Sequence, residues 1–276
     1  MRITKFMKAV FYSNLKILER NKDFLIRGLI IILTILSILI VIFFLPITFR
    51  EKLVLNKFNP TIWTLYTTNF VHEDLEHLKW NLVGFATFST LILIILSLFN
   101  SPKFFYKILL INLTVVPILL SIYWIFVETQ NQYSLGFSGI VASIFGSFVF
   151  LYVDLFRTIK VNINSRYAFV WLITFVAFVF ALTYFPFHNI SVIMTLIISI
   201  FFYAITIKNI QILNERLNKT LVVISLTLIM PIILVFSSPF FPIDMASINR
   251  TNLYTHFGGI VFGILTTFFL KLNYNS

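Results

Sequence analysis

Few side chains in this sequence could do chemistry, and those that could stand at the starts of apolar runs. Ser138 lies in Leu135-Gly136-Phe137-Ser138-Gly139-Ile140-Val141-Ala142, a small-residue turn that opens into such a run. A serine hydroxyl becomes a nucleophile when a base takes its proton, and histidine is the usual base at neutral pH. His256 begins a similar run, His256-Phe257-Gly258-Gly259, and of the four histidines it is the one that starts a run beside small residues. Acyl transfer also needs donors for the charge that develops on the carbonyl oxygen. His77 and Asn81 are four apart, on one face of a helix. With the backbone N–H of Ser138 they make a donor set. No carboxylate is placed to orient His256, so the constellation is a Ser–His dyad rather than a triad.

Taken singly, each residue also fits a plain role. Ser138 suits a helix–helix contact or an N-cap, His77 and Asn81 suit interfacial anchoring or capping, and His256 suits a satisfied interface histidine. Two rival motifs fail on spacing. His72-Glu73-Asp74-Leu75-Glu76-His77 looks like a zinc box, but such a box needs histidines four apart and these are five apart. The hydrolase elbow G-x-S-x-G fails because Ile140 stands two after Ser138. The expectation is a site without metal or cofactor.

The elements that must position these groups are membrane spans. Of 276 residues 59% are hydrophobic and 11% charged, against about 25% charged in soluble domains. The apolar residues come in blocks of about twenty, the length that spans a bilayer core. The net charge of +11 fits Lys- and Arg-rich cytoplasmic loops and gives no reason to invoke nucleic acid. The absence of cysteine excludes disulfides and a thiolate nucleophile.

In chain order, residues 1–26 form a basic segment, read as cytoplasmic, with apolar residues at near-helical spacing. Residues 27–276 form one transmembrane domain. Its spans are expected at 28–46, 78–99, 105–127, 138–155, 167–186, 189–207, 220–237 and 254–271. Pro231 is the kink candidate. Loop 47–76 is rich in aromatics, which suits short helices sunk in the headgroup layer. The fold class is all-α, a polytopic helical bundle of about eight spans. With the N-terminus inside, the inside segments hold sixteen of the 21 basic residues, and the excess alternates at every loop. Both termini are then cytoplasmic. Ser138 and His256 each begin a span running from outside to inside, separated by an odd number of spans, so they lie at similar depth. Gly258, Gly259 and Gly263 are expected to pack closely on Gly139 and Gly146. An AT-rich residue bias suggests a prokaryotic cell membrane.

Together these residues resemble the rhomboid family of intramembrane serine proteases. Gly136-Phe137-Ser138-Gly139 is similar to the family's GxSG. His72, His77 and Asn81 resemble its H-x4-H-x3-N pattern, and His256, Gly259 and Gly263 its histidine helix. The resemblance implies a six-helix core with about two additional spans. It implies Ser138 as nucleophile, His256 as base and then acid, and His77 and Asn81 as oxyanion donors. His72 would brace the outer loop, with Gly136, Gly139 and Gly259 as structural residues near the site. It further implies transmembrane protein substrates, cleaved near the outer boundary of the bilayer, and an outer segment at 238–253 capping the cavity with Phe240, Phe241 and Met245.

The sequence departs from the family pattern in several places. Three spans rather than one separate the serine and histidine helices, which leaves open whether 167–186, 189–207 or 220–237 gates the substrate. Ala142 stands where the family often has an aromatic residue stacked on the histidine. Trp63-Thr64 replaces a Trp-Arg pair, and no extra soluble domain is present. The main alternative is a catalytically impaired rhomboid-like protein that binds membrane helices; a transporter is disfavoured by the scarcity of intramembrane acids.

Overall fold

In lipid, a long apolar run satisfies its own backbone most simply as a helix, and helices dominate the computed structural model. It describes residues 15–128, 131–156, 161–184, 189–212 and 253–274. In chain order the elements are α1 (Lys22–Phe43), α2 (Ile47–Glu51), β1 (Leu55–Asn56), α3 (Ile62–Thr67), α4 (Leu75–Leu98), α5 (Pro102–Thr114), α6 (Val116–Val127), β2 (Tyr133–Ser134) and α7 (Ser138–Leu155). Then follow β3 (Val161–Asn162), α8 (Ser165–Tyr184), α9 (Asn189–Lys208), β4 (Gln211–Ile212) and α10 (Leu253–Tyr274). Taking α5 and α6 as one, six helices among the described residues are long and apolar enough to cross a membrane, and Ser165–Val179 within α8 is a shorter apolar stretch. The architecture is thus an all-α polytopic bundle. The expected span at 220–237, Pro231 within it and the cap residues Phe240, Phe241 and Met245 lie outside the described residues.

The third span is not the continuous helix expected at 105–127. It breaks at Val115, and Pro117 sits in the first turn of α6. Proline has no N–H to give to the carbonyl four residues earlier, here Leu113. The hydroxyl of Tyr66 donates to that carbonyl instead, at 3.0 Å. Asn69 adds a bond from Nδ2 to the Pro117 carbonyl at 3.2 Å and another to Ser121 Oγ at 3.0 Å. Pro117 is therefore a kink position, and the 47–76 loop plugs it. That loop contains the short helices α2 and α3, as its aromatics suggested, with Phe58, Ile62 and Trp63 left exposed.

The helix directions follow from contacts at their ends. Asn21 Nδ2 donates to the Ser97 carbonyl at 2.8 Å, so α1 starts where α4 ends. Phe24 meets Phe105 and Tyr106 edge-on at 5.8 and 5.9 Å, which brings the start of α5 to the same end. β3 and β4 pair antiparallel through Val161–Ile212, so α7 and α9 finish together. Thr255 at the start of α10 lies against Gly139 at the start of α7, and Lys271 pairs with Asp154 at their other ends. The two helices are parallel, as the charge alternation required. The bundle therefore has a serine end, where α7 and α10 begin, and a far end, where they finish.

Candidate active site

The turn that presents Ser138 is fixed from three sides. Phe137 is fully buried between Phe70 and Phe85, with ring centroids at 5.6 and 5.3 Å. β1 pairs with β2 just upstream. Thr68 ties the two segments: its hydroxyl donates to the Ser134 carbonyl and accepts from Leu55 N at 3.1 Å, while its carbonyl accepts from Gly136 N at 3.1 Å. Gly136 has φ +122°, a conformation L side chains rarely adopt. A methyl there would also strike His77 Cε1 and Nε2 at 2.7 and 2.9 Å, with Ser138 Oγ 3.8 Å away. Glycine at 136 thus lets the His77 imidazole lie beside the serine hydroxyl.

Ser138 is the first residue of α7 and is half-buried. The helix's own ladder starts at Ile140 and Val141, which both donate to the Phe137 carbonyl at 3.0 Å. The N–H groups of Ser138 and Gly139 precede that ladder, at the positive end of the helix dipole.

Asp74 N-caps α4, its carboxylate accepting from His77 N at 2.8 Å, which sets the orientation of the first turn. His77 is half-buried. One turn on, Asn81 is 1% exposed, and its Nδ2 donates to His72 Nε2 at 3.0 Å. The rings of His72 and His77 meet edge-on at 5.2 Å. His72 is 1% exposed, and burial, with His77 close by, pushes its pKa down to about 3. It stays neutral, with Nε2 free to accept from Asn81. The His72 carbonyl accepts from Arg50 Nη1 at 2.9 Å, and the Arg50 guanidinium lies 5.2 Å from the Phe43 ring centroid. His72 therefore holds both the loop, through its backbone, and Asn81, through its ring.

α10 meets α7 along a seam of small residues. A methyl at Gly259 would lie 2.3 Å from the Gly139 carbonyl oxygen and 2.9 Å from Ala142 Cβ. At Gly146 it would lie 2.2 Å from the Ile260 oxygen, and at Gly263 1.8 Å from the Ser143 oxygen. Backbone carbonyls of each helix sit in the glycine hollows of the other. Gly258 departs from the expectation: it faces the Tyr123 ring of α6 at 3.1 Å, because it lies about 100° around the helix from Gly259. His256, Gly259 and Gly263 form one stripe, at spacings of three and four. His256, 1% exposed, continues the seam next to Thr255, which lies against Gly139. Ala142 packs directly onto Gly259, a position at which an aromatic side chain would part the helices.

The rhomboid domain family model matches residues 59–209, more than half of the chain. The chain belongs to the rhomboid family. No curated protein and no solved structure matches it. This rhomboid is an integral multi-pass membrane protein, and its matched region runs from the 47–76 loop through His72, His77, Asn81 and Ser138 to the end of α9. His256 lies beyond the match.

Of the two described helices between α7 and α10, α8 packs on both of them, with Phe169 stacked on Phe268 at 4.2 Å. α9 packs mainly on α8, through contacts such as Trp171–Tyr203 at 5.0 Å. Sequence reasoning missed Tyr66 and Asn69, which hold the 47–76 loop to the α5/α6 break, and Thr68 and Arg50, which hold it to the Gly136 turn and His72. Asp74 could have been found: an Asp three before His77 at the start of an apolar run is an N-cap signal.

Proposed function

We propose that this rhomboid is an intramembrane serine endopeptidase that cleaves transmembrane segments of other proteins near the outer membrane boundary. The observation that supports the reading is the glycine seam, along which Thr255, next to His256, lies against Gly139, next to Ser138, while a methyl at Gly136 would strike His77. In this mechanism His256 takes the proton from Ser138 Oγ as Oγ attacks the scissile carbonyl. The oxyanion is met by the N–H groups at the start of α7 and by the His77 ring. Asn81 contributes the amide hydrogen that His72 does not hold. His256 then protonates the leaving amine, and water hydrolyses the acyl-enzyme. The basic residues alternate in a way that supports cytoplasmic termini, which puts the serine end on the outer side.

Helix α8 is the gating candidate that its contacts with both catalytic helices favour. The test is cleavage of a single-span substrate, with fluorophosphonate labelling in detergent. Wild type should label and cleave, Ser138→Ala and His256→Ala should do neither, and Asn81→Ala should lose less. A folded wild type that neither labels nor cleaves, yet retains bound membrane helices, would show the impaired binding protein instead.

A further inference from the structure

Asp154 and Lys271 form an ion pair at the far end of the α7/α10 seam, with side chains only 11% and 8% exposed. The Lys271 ammonium also lies 5.6 Å from the Phe150 ring centroid. Buried pairs are costly to desolvate and are often no more stable than apolar replacements; their best-attested use is fixing register. The seam has a register to fix. Its hollows repeat at near-whole helical turns, Gly259 and Gly263 four apart and Gly139 and Gly146 seven apart. Sliding α10 one turn along α7 keeps a glycine at one of the Gly139 and Ser143 carbonyls and brings Thr255 or Thr267 to the other, so the slid register is met at one hollow and opposed at the other. Such a slide would move His256 by about 5.4 Å.

We infer that the Asp154–Lys271 pair is a positioning device that selects the register in which His256 stands level with Ser138. The spacing fits. Asp154 is sixteen residues below Ser138 and Lys271 fifteen below His256, or about 24 and 22 Å along the two helices. Matching the charges at the bottom matches the dyad at the top. Ser147 Oγ, donating to the Gly263 carbonyl at 3.1 Å, holds the same register midway.

The inference rests on the protease reading for its effect on catalysis, but the register can be read without activity. The chain has no cysteine, so an introduced pair has no background. A Cβ at Gly139 would lie 3.5 Å from Thr255 Cβ, within disulfide range. Gly139→Cys/Thr255→Cys in the full chain should cross-link rapidly. Adding Asp154→Asn/Lys271→Met should leave the melting temperature within a few degrees, since both charges of the pair go together, but slow that cross-link. In the cysteine-free chain the same double change should lower kcat and fluorophosphonate labelling by about tenfold, with KM unchanged. The swap Asp154→Lys/Lys271→Asp should restore cross-linking and kcat.

Wild-type cross-linking and kcat in the apolar double variant would overturn the inference. So would a folded swap variant that stays slow in both. If wild type never labels, yet the double variant cross-links slowly, the protease reading fails and the register role stands.

Discussion

Two helix contacts in this rhomboid both use glycine, and they use it differently. At the centre, Gly263 of α10 receives the Ser143 carbonyl of α7, backbone against backbone. At the periphery, Gly28 of α1 faces Leu93 of α4, where an added methyl would meet Cδ1 at 2.4 Å and Cδ2 at 2.7 Å. By distance alone the two sites look alike. The neighbour distinguishes them: a leucine tip can rotate away, whereas a carbonyl held in a helical ladder cannot. The central contact fixes how α7 and α10 meet at the serine end, and the peripheral one anchors a helix most of whose surface faces outward.

The largest effect should come from Gly263→Ala. Its methyl would sit 1.8 Å from the Ser143 oxygen, so α7 and α10 must separate by more than an ångström. Displacement of that size at a catalytic pair costs about 100-fold in rate. The expected outcome is near-complete loss of cleavage and labelling, together with a lower melting temperature. Wild-type kcat in this variant would erase the distinction between the two contacts.

Acid offers a way to loosen the site from the side of α4. His72 has a folded pKa of about 3, below the ordinary histidine value of about 6.5. Between these values the unfolded chain takes up a proton that the folded chain refuses. Stability is therefore full above pH 6.5, falls as pH drops towards 3, and is level below that. At pH 5 the loss from this one group is about 2 kcal/mol. His72→Gln keeps a side-chain acceptor for Asn81 and cannot be charged. Thermal unfolding at pH 7.5 and pH 5 should show a smaller acid penalty in that variant. The Gly139→Cys/Thr255→Cys cross-link should form alike in both at pH 7.5, because His72 acts through α4 and the outer loop.

The sequence shows this central-versus-peripheral contrast unevenly. Lipid restricts the backbone so strongly that the helices at 138–155, 189–207 and 254–271 could be read within a few residues of their limits, and charge alternation gave the parallel relation of α7 and α10. The glycine stripe of α10 was visible because a seam needs small residues at spacings of three and four. Its partner was less visible. Gly258 belongs to the same cluster in sequence, yet it faces Tyr123, a difference set by helical phase against two neighbours at once. The outer loop was legible as aromatic and interfacial but not in its bonding. Tyr66 finds Leu113 only because Pro117, far along the chain, leaves a carbonyl open, and Thr68 acts through backbone groups that carry no residue signature. Ser138, His77 and Asn81 stood out because polar groups entering an apolar run are costly without a role. Asp154 and Lys271 did not, since each on its own looks like an ordinary charge at a helix end.

The smallest effect should come from Gly28→Ala, the matched change at the outer contact. The added methyl displaces the Leu93 tip, an overpacking penalty of about 1 kcal/mol for a side chain able to change rotamer. Alanine also favours the helix over glycine by about 1 kcal/mol, so the two terms nearly cancel. Cleavage should be unchanged, because α1 packs chiefly on α4 and the α4 residues near Leu93 lie at the far end from His77. Measured beside Gly263→Ala, this variant holds the chemical change constant and varies only what the new methyl meets. A comparable loss of activity in both would mean that helix spacing across the whole bundle, rather than the α7/α10 seam, sets the geometry of the dyad.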